Sequence, residues 1–224
     1  DEREYLIVRG TVQQIVYYND ENGYAVLRLV TDDGELLTLV GCVPCAAPGE
    51  NLTATGSFSS HPQYGEQFSA SEVERYLPSN ETEILNYLAS GVVRGVGPAT
   101  AEKLVARFGI ETLQVLESEP EKLTAIKGIS LSRAKAMSAN FRRQAGMRRL
   151  IEFLASANIR PVIALRVYQY YGDDALQLVQ DNPYILVSDA IGATFQEADA
   201  LALGHGFDDQ SAERVAAATL YELA

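Results

Sequence analysis

A glycine-rich segment in the middle of the chain has the residue types of a phosphate-binding loop. The segment GVVRGVGPATAEKLVARFG runs from Gly91 to Gly109 and places most of its glycines before an amphipathic, helix-like pattern. Pro98 suits the first turn of that helix, and Gly109 suits its C-terminal end. The first N–H groups of a helix have no intrahelical acceptor and lie at the positive end of its dipole. This spacing therefore predicts an anion site of the kind that binds a phosphate group.

The loop is expected to offer its backbone to the ligand. Glycine permits positive φ angles and has no side chain to hold another molecule away, which is the role predicted for Gly95 and Gly97. Because neither the loop nor its flanking cations would reach base edges, the contact with DNA would be independent of sequence. The predicted DNA contacts of this first hairpin are Arg94, Gly95, Val96, Gly97, Ala99, Thr100 and Lys103.

A second hairpin follows 33 residues later in the segment AIKGISLSRAKAM. Gly128 and Ala134 are spaced like Gly95 and Ala101, while Ser130 replaces the second glycine. The helix that follows continues into NFRRQAGMRR, which adds four arginines. Two such hairpins would contact two stretches of one DNA backbone. The predicted contacts of the second hairpin are Lys127, Gly128, Ile129, Ser130, Arg133 and Lys135.

A longer repeat predicts that the helical half of the chain is duplicated. The segment that begins at Pro98 aligns without gaps on the segment that begins at Pro161. In the second copy GVGP has become NIRP, and KGIS has become IGAT at residues 191–194. We therefore expect residues 150–224 to be a structural copy that has lost its phosphate contacts and packs on a neighbour. Contact of this copy with DNA is the less favoured alternative.

The distribution of charge supports a three-part division of the chain. The net charge is −12, which taken whole argues against nucleic acid. The local net charge, however, is −8 in residues 1–78, +4 in residues 79–149 and −8 in residues 150–224. The predicted domains are an OB-like β-barrel (1–78), a basic tandem helix-hairpin-helix unit (79–149) and a second, eroded copy (150–224). The predicted fold class is α+β, with the two kinds of structure in series.

The first domain has the pattern of a small β-barrel. Five short runs alternate apolar and polar residues and are separated by turn residues such as Asp32-Asp33-Gly34. An OB-type barrel can stack bases on aromatic rings. The candidates for single-strand contacts are Tyr17, Tyr18, Tyr24, Arg28, Phe58, Tyr64 and Phe68. The favoured interpretation is that the rings fill the barrel and cap its ends, because few cations accompany them.

Other chemistry has little support in the sequence. No 18-residue apolar stretch or signal segment is present, so we expect no membrane association and a cytoplasmic location. Cys42 and Cys45 are interpreted as small thiols at the end of a strand, with no metal site and no cofactor. No catalytic set of residues is found. The chain begins at Asp1 in a charged run, so we expect it to be part of a longer protein.

The ordered set of motifs resembles a known family. The hairpins G-V-G-P-x-T-A and G-I-S-x-x-R-A are similar to tandem helix-hairpin-helix motifs. Together with the flanking segments, they resemble the N-terminal region of RecD-like DNA helicases, the exodeoxyribonuclease V alpha type of superfamily 1. The flanking segments are DENGYAVLRL, PGENLTATGSF and HPQYGEQF before the hairpins and YGDDALQLVQDNPYIL and IGATFQEAD after them.

The resemblance implies a parent protein that hydrolyses ATP with Mg²⁺ and moves 5′ to 3′ on single-stranded DNA, in DNA repair or recombination. Its motor would follow these domains in the same polypeptide. A motor needs the phosphate loop G-x-x-x-x-G-K-[ST], and no Gly-Lys pair occurs in the 224 residues. We therefore expect no enzyme activity from this chain. The alternative function is a scaffold that packs on the motor or on a repair partner without contacting DNA.

Overall fold

The computed structural model describes residues 5–62, 65–208 and 210–223. Within these residues, five strands precede eight α-helices, which confirms the predicted α+β order. The strands are β1 (Leu6–Tyr18), β2 (Tyr24–Thr31), β3 (Leu36–Cys42), β4 (Asn51–His61) and β5 (Gly65–Tyr76). The helices are α1 (Glu81–Ala89), α2 (Pro98–Phe108), α3 (Thr112–Ser118), α4 (Leu131–Ala155), α5 (Pro161–Tyr171), α6 (Ala175–Asp181), α7 (Phe195–Gly204) and α8 (Ala212–Leu223).

The strands close into a barrel in the order β1-β2-β3-β5-β4, as predicted for an OB-like domain. β1 pairs with both β2 and β4, and its register with β2 shifts twice, between Val12 and Gln14 and between Ile15 and Tyr17. Such irregularities bend a strand and let one long strand serve both sides of a small barrel. Alternate residues of β2 (Ala25, Leu27 and Leu29) are fully buried inside the barrel.

The loop between β3 and β4 joins the barrel to the first helix. Gly49 has a φ of +88°, and a Cβ atom on it would lie 2.8 Å from the backbone of Tyr87 in α1. The carboxylate of Glu50 and the guanidinium of Arg75 form a buried ion pair at 2.8 Å, and Arg75 also donates to the carbonyl oxygen of Cys45 at 2.9 Å. These contacts hold the loop against β5 on one side and α1 on the other.

The first helix has one half of a capping box at its N-terminus. The side chain of Asn80 accepts from the N–H of Glu83 at 2.9 Å. The Glu83 carboxylate does not reach back to Asn80; it accepts from the N–H of Ser79 and from the side chain of Asn51, each at 3.2 Å. Since Asn51 lies in β4, Glu83 ties the helix to the barrel.

The helical repeat predicted from the sequence is present in the structure. α2, a 3₁₀ turn, α3 and a second 3₁₀ turn recur as α5, a 3₁₀ turn, α6 and a second 3₁₀ turn. The glycines that end α2 and α5 adopt nearly the same conformation, with φ and ψ of 55° and −133° at Gly109 and 64° and −139° at Gly172. A side chain would be strained at both positions.

The chain forms two compact units, residues 1–142 and residues 143–224, with α4 contributing to both. In the first unit, α1 to α3 and the first half of α4 pack around a core that includes Tyr87, Leu104, Leu116 and Phe141. Of the helices in the described residues, none is both long enough and apolar enough to cross a membrane. The division into three domains remains a prediction.

Candidate nucleic-acid interface

The first hairpin joins α1 to α2 and uses its two central glycines in different ways. Gly95 has a φ of +89°, as predicted for a tight loop that needs glycine. Gly97 has a φ of −100° and a ψ of −179°, which is extended backbone that any residue can adopt, so the expected positive φ is wrong there. A Cβ atom on Gly97 would meet no atom within 4 Å. Neither the fold nor the packing of the chain therefore requires glycine at position 97.

The backbone N–H groups of this loop are only partly open. The N–H of Arg94 donates to the side-chain oxygen of Asn140 at 2.7 Å, and that of Val96 donates to the carbonyl of Val93 at 3.0 Å. The N–H of Thr100 donates to the carbonyl of Gly97, which makes it unavailable to a ligand. Among the described residues, no acceptor is present for the N–H groups of Gly95, Gly97 and Ala99.

The side chains of the first hairpin divide between core and surface. Val96 is 2% exposed and belongs to the core, so its role is to anchor the loop. Arg94 and Lys103 are exposed on either side of the open N–H groups. Ala99 and Lys103 are four residues apart and share one face of α2. Contact of these two cations with DNA stays a prediction.

The second hairpin repeats this arrangement at the start of α4. Gly128 has a φ of +95°, and the N–H of Ile129 donates to the carbonyl of Ile126 at 3.1 Å. Ser130 stands at the position of Gly97, and its hydroxyl accepts from the N–H of Arg133 at 3.2 Å, which caps the helix. Among the described residues, no acceptor is present for the N–H groups of Lys127, Gly128, Ser130, Leu131 and Ser132. Those of Gly128, Ser130 and Ser132 lie 33 residues after their counterparts in the first hairpin. Ile129, at 6% exposure, is a core residue like Val96.

Arg133 does not extend freely into solvent as a predicted DNA contact would. Its guanidinium donates through Nη1 to the carbonyl of Gly128 at 3.1 Å and through Nη2 to the carbonyl of Gly95 at 3.0 Å. One side chain thus bridges the two glycines with positive φ, and the two loops lie side by side. The nearby cations Lys127 and Lys135 are exposed.

The two hairpins of the second copy differ from each other. In the third, Asn158 takes the place of Gly95 and keeps a positive φ of 55°, so the loop conformation survives without glycine. In the fourth, the N–H groups of Gly192 and Ala193 donate to backbone carbonyls. The N–H of Thr194 donates to the carboxylate of Glu197 at 2.7 Å. That carboxylate occupies the position of an incoming anion, which gives a physical reason for the loss predicted at the fourth hairpin.

The barrel aromatics are neither all exposed nor all buried. Phe68 is fully buried, and its ring packs edge-on against Phe58 at a centroid distance of 5.2 Å. Tyr17 and Tyr24 are 52% and 39% exposed, with ring centroids 6.5 Å apart, and Arg28 is exposed on the same strand as Tyr24. Phe58 is 45% exposed, Tyr18 is half-buried, and Tyr64 lies outside the described residues.

The two cysteines end β3 and begin the loop that follows. Cys42 and Cys45 are free thiols and half-buried, and burial raises the pKa of both. A raised pKa keeps a thiol protonated and unreactive at neutral pH. In the part of the chain that the structure describes, no three His, Cys, Asp or Glu side chains are grouped to hold a metal ion.

Two residues that shape the hairpins escaped the sequence-based prediction. Asn140 lies 46 residues after Arg94 in the chain and accepts from its N–H. Glu197 closes the fourth hairpin by forming a full capping box with Thr194. The Thr-x-x-Glu spacing of a capping box could have revealed Glu197. No local pattern could have revealed Asn140, because its partner is a backbone group distant in sequence.

A closed five-stranded barrel followed by paired helical hairpins defines a protein of OB-fold and helix-hairpin-helix domains. Residues 4–78 match the family model of the OB-fold domain of the ATP-dependent DNA helicase YrrC. Residues 87–143 match a SAM-like helix-hairpin-helix tandem, and residues 143–224 match the helix-hairpin-helix domain of the ATP-dependent RecD2 DNA helicase. In this order, the matches support an N-terminal RecD-like region with OB and helix-hairpin-helix domains.

One curated relative extends the match over almost the whole chain. The ATP-dependent RecD2 DNA helicase of Deinococcus radiodurans is 28% identical over 225 residues, which is 96% of this chain. The chain spans only 31% of that relative's length. The resemblance drawn from the hairpins and their flanking segments is confirmed at the level of the family.

Proposed function

We propose that this chain is the DNA-binding, non-motor region of a RecD-like helicase and that it binds the DNA backbone without regard to sequence. The binding surface, which we call the paired-loop surface, consists of the first and second hairpin loops and their flanking cations. It comprises Arg94, Gly95, Gly97, Ala99, Lys103, Lys127, Gly128, Ser130, Ser132 and Lys135.

The observation that carries this proposal is the glycine at position 97. Its extended backbone and the free space around its Cα would accept any small side chain. Ser130 shows that, at the same place in the second hairpin, a side chain is compatible with the fold and even caps the helix. A glycine that the chain itself does not need is explained if an external group approaches the backbone closely at that point.

The open N–H groups and the local charge support the same conclusion. Each loop leaves at least three N–H groups without an acceptor among the described residues. In both loops these groups lie at or just before the start of a helix, where an anion is favoured. These loops lie in the one segment, residues 79–149, whose local net charge is positive. Phosphate oxygens satisfy both features at once, and they carry no sequence information.

The parent protein enters the proposal through the family. A RecD-like parent would bind ATP and Mg²⁺ in a motor that belongs to the same polypeptide, and these domains would hold DNA or place it for that motor. A cytoplasmic location is part of this proposal, because the relative is a bacterial DNA helicase. The chain itself is proposed to need no cofactor for DNA binding.

Salt-dependent binding tests the proposal with one matched pair of variants. The full chain should bind duplexes of unrelated sequence with similar affinity, and that affinity should fall steeply with salt. Lys103→Ala should lower the slope of log K against log salt by about one, because one fewer counterion is released. Arg107→Ala, a charge removed from the last turn of the same helix, is the control and should leave the slope unchanged. Equal effects of the two variants would contradict the paired-loop surface.

A second candidate function, docking of a protein, has one specific observation in its favour. A surface groove of about 560 Å³ on the barrel is lined by bulky apolar side chains that include Ile7, Leu36 and Phe58. Ile7 and Leu36 are 66% and 64% exposed. The groove is also lined by Arg9 and by three acids, Asp32, Asp33 and Glu35, and so would repel DNA. If the chain is a scaffold, we expect this groove to be its contact surface.

A further inference from the structure

The guanidinium of Arg133 lies between the two hairpin loops and contacts both. Nη2 donates to the carbonyl of Gly95 at 3.0 Å, and Nη1 donates to the carbonyl of Gly128 at 3.1 Å. Gly95 and Gly128 are the positions where each loop takes a positive φ, so each carbonyl belongs to the tightest part of its loop. A planar guanidinium can satisfy two acceptors at a fixed separation, which a lysine ammonium does less well.

We propose that Arg133 is a positioning residue: it sets the distance between the two hairpin loops so that both can bind phosphates of one DNA molecule together. This inference rests on the proposed function and adds to it the cause of the loop spacing. Two weak phosphate sites on one rigid surface bind much more tightly than either alone, provided that their separation matches the ligand.

The geometry argues against a role for Arg133 as a phosphate ligand of the same kind as its neighbours. Two of its donor nitrogens already meet protein carbonyls, whereas Lys127 and Lys135 are exposed lysines beside the loops. The guanidinium contacts one carbonyl of each loop, so it acts on both loops at once.

The second copy of the repeat supports a general role for such a bridge. There, Arg166 of α5 donates through Nη1 to the carbonyl of Ile191 in the fourth hairpin, at 3.1 Å. Lys103 aligns with Arg166 when Pro98 is placed on Pro161. Arg133 aligns with Glu197 when KGIS at residues 127–130 is placed on IGAT at residues 191–194, one residue later than strict repetition. An arginine therefore joins one hairpin to the loop of the other in both copies, although it comes from a different helix in each. The arginine-to-carbonyl contact thus recurs in the second copy, although the position of Arg133 is occupied there by Glu197.

The test compares Arg133→Lys with the parent chain on DNA of increasing length. Blunt duplexes of about 6 to about 24 base pairs, at ~3.4 Å per base pair, extend from a ligand for one loop to a ligand for both. For the parent, affinity should rise sharply at the length that reaches the second loop. Arg133→Lys keeps the charge, so short duplexes should bind as before, while long duplexes should bind about fivefold to twentyfold more weakly. The salt slope on short duplexes should not change.

Two further variants make the result specific. Arg142→Lys, an exposed arginine farther along α4, is the matched control and should leave binding at every length unchanged. Lys135→Ala removes a proposed phosphate contact and should lower the salt slope by about one on long duplexes. Thermal unfolding of Arg133→Lys should match that of the parent, because the residue is exposed.

The outcomes separate the two proposals. A parent chain that binds no duplex of any length would overturn the proposed function and this inference together. A parent that binds with a clear length dependence, accompanied by an Arg133→Lys variant that keeps the same dependence, would overturn the inference alone. An equal loss on short and long duplexes would also overturn it, because Arg133 would then act on the DNA directly or on the fold.

Discussion

Gly95 and Gly97 lie two residues apart and are glycine for different reasons. Gly95 has a φ of +89° and shapes the loop, so a side chain there would strain the backbone. Gly97 is extended and has free space around it, so neither backbone strain nor packing within the chain requires glycine there. The sequence alone suggested one role for both residues. The backbone angles separate the residue that needs glycine for the loop from the residue at which we propose that a phosphate approaches.

The buried ion pair between Glu50 and Arg75 should be the most sensitive polar contact in the barrel. Their side chains are 1% and 6% exposed, so removal of either partner leaves an uncompensated buried charge. Arg75→Met should lower the free energy of unfolding by about 3 to 5 kcal/mol. Urea denaturation of the chain measures this change. In the double variant with Glu50→Leu, the total loss should be smaller than the sum of the single losses, and a simple sum would contradict the pairing.

A three-residue cluster in the second unit should make stability depend on alkaline pH. The hydroxyl of Tyr184 donates to the carboxylate of Asp199 at 2.8 Å, and burial, followed by this bond, raises the pKa of Tyr184 to about 12. A pKa raised above the unfolded value near 10 gives stability that is present below pH 10 and is lost between pH 10 and 12. The urea midpoint should therefore decrease between about pH 9 and about pH 11, and this decrease should be smaller for Tyr184→Phe than for the parent.

The carboxyl of Asp199 in the same cluster has a lowered pKa, so it makes stability depend on acidic pH instead. Arg214, which donates from Nε to Asp199 at 2.6 Å, is the main cause of the lowered pKa of that carboxyl. The stability that this gives is present above the unfolded pKa of 3.8 and is lost as the pH falls through the folded value. Asp199→Asn should remove this acid-dependent loss. If Asp199→Asn loses stability at acidic pH as the parent does, other carboxyl groups dominate that loss.

At the scale of elements, the four hairpins share one backbone shape and differ in what meets their N–H groups. The first two leave N–H groups open among the described residues, whereas in the fourth the carboxylate of Glu197 accepts from the N–H of Thr194. A helix that caps itself with a carboxylate has satisfied the site that a phosphate would use. The proposed anion binding would thus depend on the residues at and just after the N-cap, while the turn itself is retained.

The fourth hairpin provides a prediction that separates stability from DNA binding. Ile191 is fully buried, and Thr194 caps α7. The double variant Ile191→Ala with Thr194→Val should lower the melting temperature through lost packing and a lost cap. Its DNA affinity and salt slope, measured below the melting temperature, should equal those of the parent. A reduced slope would instead assign DNA contact to the second copy.

Elements that depend on local patterns could be predicted, and contacts between distant backbone groups could not. Alternating apolar residues and turn residues placed all five strands, because each strand buries one face in the barrel. Pro98 and Gly109 placed both ends of α2. The partners of Arg133 are carbonyl oxygens, which every residue possesses, so residue types give no sign of them. The same holds for Asn140, whose partner is the N–H of Arg94.

At the scale of the whole chain, charge and domain order describe a basic segment between two acidic ones. The local charges of −8, +4 and −8 mean that the outer segments repel DNA while the hairpins attract it. Under the proposed function, such an arrangement would confine DNA to the hairpins. The acidic groove of the barrel would then be left for a protein partner or for the helicase motor of the parent.

The whole-chain sequence predicts binding without catalysis. The 224 residues contain no Gly-Lys pair and hence no phosphate loop of the motor type. The purified chain should release no phosphate from ATP, with or without DNA, and should not unwind a duplex. A malachite-green assay with single-stranded DNA present measures this. DNA-stimulated phosphate release by material free of other ATPases would contradict the prediction.

Gly97→Val tests most directly whether a phosphate approaches the backbone at Gly97, on which the proposed DNA binding depends. The matched control is Gly204→Val, since a Cβ atom on Gly204 would also meet no atom within 4 Å and its φ is not positive. The parent and both variants would be compared by fluorescence anisotropy with one labelled duplex, after circular dichroism has shown that each is folded.

Gly97→Val should weaken DNA binding by about tenfold to a hundredfold, the loss of one charge-assisted contact worth about 1 to 3 kcal/mol. The extended backbone at position 97 accepts valine, so the fold should be unchanged. Gly204→Val should bind like the parent. A folded Gly97→Val variant with the parent's affinity would contradict the approach of a phosphate, and the hairpin would then be only a connection between two helices.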